Sequence, residues 1–120
     1  MLRVAVVGAS NKPHRISYQA VSALLDAGHD VYPVHPILRE IQGLPVYQAI
    51  SKLPEPVHTM SIYVNADRSA GMAREILKLG PKRVIFNPGA ENPPLAKTLE
   101  DNGINVLEAC TLVLLRTKQF

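Results

Sequence analysis

The residues best suited to chemistry gather near the start of the chain. Leu2 to Val7 is a short, apolar, largely β-branched run, and Gly8-Ala9-Ser10-Asn11-Lys12-Pro13-His14-Arg15 follows it directly. Glycine after such a strand permits a sharp turn and lets backbone N–H groups come close to a ligand. Ala9 adds little bulk, and the Ser10 hydroxyl can donate to a phosphate oxygen. A helix starting just beyond turns its positive end toward the same spot. Lys12, His14 and Arg15 add side-chain charge. Together these residues suit an anion, and a phosphate in particular.

The remaining reactive groups are dispersed. His14, His29, His35 and His58 show no H-x-x-x-H or H-E-x-x-H spacing, so no metal site is expected. His29 and His58 precede strands and are expected at the surface, away from the ligand. Cys110 is the only cysteine, which leaves no internal disulfide and no thiolate cluster. Without a cation beside it, Cys110 reads as a buried structural thiol. Glu91 reads as a cap for the helix that follows it. No nucleophile–base pair is visible, and no catalytic residue is assigned.

Strands and helices that would position the anion site alternate along the sequence. Strands are expected at 2–7, 31–34, 59–64, 83–86 and 104–107, the continuous apolar pattern of a sheet covered on both faces. Pro33 is expected at the end of its strand, because it lacks a ladder donor. Helices are expected at 17–27, with Tyr18, Val21, Leu24 and Leu25 inward, at 67–79, with Ala70, Ala73, Ile76 and Leu77 inward, and at 94–102. Residues 36–57 are irregular, with room for one short helix around 46–53, and 110–120 reads as a terminal helix or packed extension. Alternation of this kind implies an α/β fold, a doubly wound parallel five-stranded sheet in three α/β/α layers. The 120 residues suit one domain.

Hydrophobic residues make up 47% and charged residues 19%, the balance of a folded soluble chain with no membrane span. The formal charge of +3 is spread out, and four Tyr, two Phe and no Trp offer few stacking platforms, which argues against nucleic acid as a partner. A cytoplasmic location is expected. In a doubly wound sheet, ligands meet the carboxyl ends of the strands. That rule selects the loops 8–15, 35–36, 65–68 and 87–92. Gly8-Ala9-Ser10-Asn11-Lys12-Pro13 lacks the second and third glycines of G-x-G-x-x-G. Asp30 stands at the start of the second strand, where it cannot reach a ribose, and His35 stands at the end. NAD is therefore disfavoured, while an NADP-type oxidoreductase or redox sensor stays as the alternative.

Four stretches in order, Val4-Ala5-Val6-Val7-Gly8-Ala9-Ser10, Val31-Tyr32-Pro33-Val34-His35-Pro36, Ile41-Gln42-Gly43-Leu44-Pro45-Val46-Tyr47 and Asn87-Pro88-Gly89-Ala90-Glu91-Asn92, carry a resemblance over nearly the whole length. The chain resembles the small stand-alone CoA-binding proteins of bacteria, which are similar to the CoA-binding domain of succinyl-CoA synthetase. The resemblance implies a Rossmann-like fold with the ADP part of coenzyme A across the first turn. It implies Gly8, Ala9, Ser10 and Asn11 at the pyrophosphate, His35 and Pro36 beside the ribose and adenine, and Val64, Asn65 and Ala66 flanking the adenine. Lys12, His14, Arg15, Asn87 and Gly89 complete the expected binding set. The chain departs from many such relatives at His35, where they carry Asn, and at Asn65-Ala66. The implied function is non-catalytic binding of CoA or an acyl-CoA, as a carrier, sensor or partner subunit. A synthetase-like protein is one expected partner. A second copy of the chain, meeting it through Leu112 to Leu115, is another.

Overall fold

A computed structural model describes all residues from Met1 to Phe120. Strands β1 (Arg3–Val7) and β2 (Asp30–Val34) flank helix α1 (Ile16–Asp26) in the chain. A two-residue hairpin follows, β3 (Glu40–Ile41) and β4 (Leu44–Pro45), then a 3₁₀ turn at Ile50–Lys52. Strand β5 (Thr59–Ile62) leads to the short helices α2 (Ala66–Ser69) and α3 (Ala73–Leu79). Strand β6 (Arg83–Phe86), helix α4 (Pro93–Asp101), strand β7 (Asn105–Glu108) and helix α5 (Thr111–Arg116) complete the chain.

The main sheet is five-stranded, in the order β2-β1-β5-β6-β7, and every pairing in it is parallel. The chain runs from β1 out to the β2 edge and then returns to the other side of β1. The strand order therefore reverses at β1/β5, which opens a crevice over their carboxyl ends. Side chains alternate between the two faces. Val4, Val6 and Val31 pack under α1 with Val21 and Leu24, and α5 lies beside α1 on that face. Ala5, Val7, Met60, Ile62, Val84 and Phe86 form the larger core on the other face, closed by Ile50, Ile76, Leu95 and Leu99. Three layers result.

Pro33 is the penultimate residue of β2, near its end as expected, and is tolerated there because β2 is an edge strand. Its carbonyl accepts the Tyr47 N–H at 2.9 Å, so its nitrogen also faces outward and no bond to β1 is lost. The expected helix at 67–79 is two pieces, and Ala70 is exposed rather than inward. Gly71 stands in the break. The short helix expected around 46–53 shrinks to the 3₁₀ turn. Ahead of it lies a hairpin absent from the expected elements, whose Gln42 and Gly43 both have positive φ, +52° and +79°, as a two-residue primed turn requires.

The amino edge of the sheet is cationic, and most of its donors are taken within the protein, although Arg83 Nη2 is buried without a hydrogen-bond partner. Arg3 Nε donates to the Tyr32 hydroxyl at 2.9 Å and Nη1 to the Glu55 carbonyl at 3.2 Å. Arg83 Nε donates to Thr59 Oγ1 at 3.1 Å, and its guanidinium carbon lies 4.5 Å from the centre of the Phe120 ring, a cation–π contact. His29 Nδ1 accepts the Leu2 N–H at 3.0 Å. His58 Nδ1 lies 2.7 Å from Thr59 Oγ1. Both histidines are partly exposed and lie away from the cavity, as expected, with one ring nitrogen each engaged in a local contact.

Candidate functional site

A cavity of about 1000 Å³ opens over the carboxyl ends of β1, β2 and β5, at the upper end of ordinary ligand pockets. Its floor is the turn after β1. Gly8 has φ +86°, and a Cβ there would come within 2.9 Å of Val64 Cγ1 and 3.2 Å of the Val64 nitrogen. Both the backbone sign and the approach of the chain beyond β5 thus require glycine.

The donors in this turn differ from expectation. The Gly8 and Ala9 N–H groups both donate to the Val34 carbonyl, at 3.1 and 3.2 Å, and so tie β1 to β2 instead of facing a ligand. Ser10, Asn11, Ile16 and Ser17 line the cavity, and their N–H groups have no acceptor in the protein. Arg15, which precedes α1, gives no side-chain cap, and the first turn of α1 holds no acid. Ser10 Oγ accepts the Lys12 N–H at 3.0 Å, which leaves its own proton to donate outward. Four free N–H groups and a hydroxyl donor at one spot make an anion cradle.

Lys12 and Arg15 also line the cavity, as do His35, Pro36, Val64, Asn65 and Gly89. Three expected residues do not. His14 is exposed outside it, and its carbonyl accepts from the Gln19 side chain. Ala66 opens α2, and its carbonyl faces Ser69 and Asn92. Asn87 is 1% exposed. Its Nδ2 donates to Ser61 Oγ and the Ile62 carbonyl at 2.9 Å each, and its Oδ1 accepts the Thr111 N–H at 2.9 Å. Asn87 thus fastens β5, β6 and α5 together beneath the site. Asn92, not Glu91, caps α4 by accepting the Leu95 N–H, while Glu91 accepts the Gly89 N–H at 2.9 Å and closes the turn. Cys110 is half-buried at the start of α5 and does not line the cavity.

His35 holds its own loop. Its Nδ1 accepts the N–H groups of Ile37 and Leu38, both at 3.0 Å. Since backbone N–H groups only donate, the imidazole proton sits on Nε2. Burial, and then the nearby charge of Arg68, lower its pKa below the ordinary histidine value of 6.5. At neutral pH the residue is a neutral ring offering one N–H.

Gln48, Ala49, Ile50, Tyr63, Arg68, Met72 and Glu75 also line the cavity and were not among the expected binding residues. Ile50, Val64 and Met72 give it an apolar side suited to a base. Tyr63 is mostly buried, and burial pushes its pKa up to about 12. Its hydroxyl lies beside those of Ser61 and Thr111, which bond one another at 2.8 Å, and it makes no well-formed hydrogen bond itself. Three cations, Lys12, Arg15 and Arg68, face the space against one carboxylate, Glu75. None is paired, as the single ion pair of the chain is Lys97–Asp101 on α4. The cradle, the unpaired cations and the apolar side together fit a polyphosphate carrying a base. No helix is long and apolar enough to cross a membrane.

The chain is similar to uncharacterised protein YneT of Bacillus subtilis, 27% identical over 105 residues, covering 88% of this chain and 78% of YneT. The crystal structure of an uncharacterised protein superposes with a TM-score of 0.95 at 36% identity, covering 100% of this chain and 98% of that one. A dinucleotide-forming acetyl-coenzyme A synthetase of Ca. Korarchaeum cryptofilum, solved with phosphate and ADP, matches with a TM-score of 0.76 at 31% identity. That match covers 89% of this chain but 25% of the synthetase. The CoA binding domain family matches residues 2–116, nearly the full length, and the chain belongs to it.

Proposed function

We propose that the protein binds coenzyme A, free or acylated, through its ADP part at the turn after β1, and that it acts without catalysis of its own as a carrier, sensor or partner subunit. The observation that carries this reading is the set of free N–H groups at Ser10, Asn11, Ile16 and Ser17 beside unpaired Lys12 and Arg15, in a chain of the CoA binding domain family. The pyrophosphate would take these donors, and the base would lie against Val64, Ile50 and Met72. The chain spans a quarter of the Korarchaeum synthetase, so a protein partner that supplies catalytic domains is part of the proposal.

The pyridine-nucleotide alternative gains no support from the family match. Its ribose acid is missing as well, since Asp30 stands at the amino end of β2, opposite Arg3 in the strand register. Calorimetric titration with CoA, dephospho-CoA, NAD and NADP tests the reading. Saturable binding of CoA, tighter than of NAD or NADP, is expected. No heat with CoA at millimolar concentration overturns it.

A further inference from the structure

The cavity holds its charge in two groups. Lys12 and Arg15 belong to the first loop, where the free N–H groups of the cradle already lie. Arg68 stands apart on α2, beyond β5, and no carboxylate pairs with it. Asn65 Oδ1 accepts the Arg68 N–H at 3.0 Å, which fixes the backbone from which this side chain extends. Across the cavity at the end of β2, His35 has spent Nδ1 on two backbone donors and has only its Nε2–H to give. The Arg68 charge reaches His35 strongly enough to lower its pKa. Arg68 and His35 therefore line one cavity, and neither the guanidinium nor the imidazole Nε2–H is spent on a partner within the protein.

We propose that Arg68 and His35 form a subsite for a phosphomonoester, the 3′-phosphate that separates CoA from dephospho-CoA. The inference rests on the CoA reading above and names what selects that ligand. A phosphomonoester is close to a dianion at neutral pH and presents three oxygens. It can take both N–H groups of an arginine fork and the imidazole donor together, and Arg suits this geometry better than Lys. A phosphodiester oxygen on the pyrophosphate needs less and is served by the first loop. Glu75, the one carboxylate in the lining, makes no ion pair with Arg68 and leaves the guanidinium available.

The test is a binding comparison of CoA with dephospho-CoA on the wild type, Arg68→Gln and His35→Asn. Arg68 is exposed, so its variant folds, and the asparagine side chain in the His35→Asn variant keeps an acceptor for the Ile37 and Leu38 N–H groups. The wild type should favour CoA. Arg68→Gln should weaken CoA about tenfold and leave dephospho-CoA within about twofold, as loss of a charge-assisted contact predicts. His35→Asn should show the same selective loss at smaller size. Equal weakening of both ligands, or of neither, overturns the subsite. Equal wild-type affinity for the two overturns the subsite but leaves the CoA reading intact. Binding of neither ligand by the wild type overturns both.

Discussion

The two ends of the sheet carry similar side chains and use them in opposite ways. At the amino edge, Arg3, Arg83, His29 and His58 are bound to Tyr32, Glu55, Thr59, Leu2 and the Phe120 ring. At the carboxyl edge, Lys12, Arg15 and Arg68 meet no counter-charge, and the N–H groups of Ser10, Asn11, Ile16 and Ser17 meet no carbonyl. A count of cations along the chain does not distinguish these ends. Their partners do. Where the protein supplies the partner, the charge serves stability, and where it does not, the charge is left for a ligand.

Substitutions at the two ends test this contrast directly. The largest effect is expected at the floor of the cavity, where Gly8→Ala forces a positive φ on a side chain that also meets Val64. We expect a loss of about 3 kcal/mol in denaturant unfolding, from backbone strain and steric contact together, and loss of CoA binding by calorimetry. A variant as stable as the wild type would show that the turn is not held by this close approach. Next comes charge. The double change Lys12→Ala and Arg15→Ala should lower CoA affinity roughly tenfold, and reduce its salt sensitivity, without moving the unfolding midpoint. Lys82→Ala, an equally exposed change at the amino edge, should leave affinity unaltered. Equal losses from both ends would erase the distinction between them.

The smallest effect is the pH dependence of stability. His29, His35 and His58 all have pKa values lowered from 6.5, each chiefly by burial. The unfolded chain therefore takes up protons first as pH falls. Stability should be level above about pH 6.5 and decline below it, by under about 1 kcal/mol per histidine once solvent screening is counted. Replacing His29 and His58 with Gln should flatten most of that slope in urea unfolding between pH 7 and 5, with ligand affinity at pH 7 unchanged. An unaltered slope would move the titration away from the amino edge.

Much of the fold can be read from the chain because its strands are buried on both faces and announce themselves as apolar runs. Arg83–Phe86 coincides with its expected bounds, and β1 and β2 differ by one residue at one end. The hairpin at 40–45 escapes because two-residue strands are too short to show a period of two. The helix at 67–79 looks continuous because its apolar spacing survives across the break at Gly71. In the site, the glycine turn was legible and the accounting of its donors was not. Nothing in the letters says that Gly8 and Ala9 both give their N–H groups to Val34, which depends on the β1–β2 register. Arg68 fell within a loop selected by the strand-end rule, yet its lack of a partner appears only in three dimensions. Met72 and Glu75 reach the cavity from a helix start that the sequence pattern placed mid-helix. Asn87 shows the reverse error, since a polar residue in the right loop proved to be a buried fastening.

Pro33 also matters to the molecule in a crowded solution. A strand at the border of a sheet offers a row of N–H and C=O groups on which another chain can add itself. Along β2 that row is interrupted by a residue with no proton to give, while its own carbonyl and the His35 amide just beyond the strand are taken by Tyr47. The border next to the cavity is thus protected against growth into aggregates, and the sheet can keep its ligand-facing corner open without inviting a foreign strand.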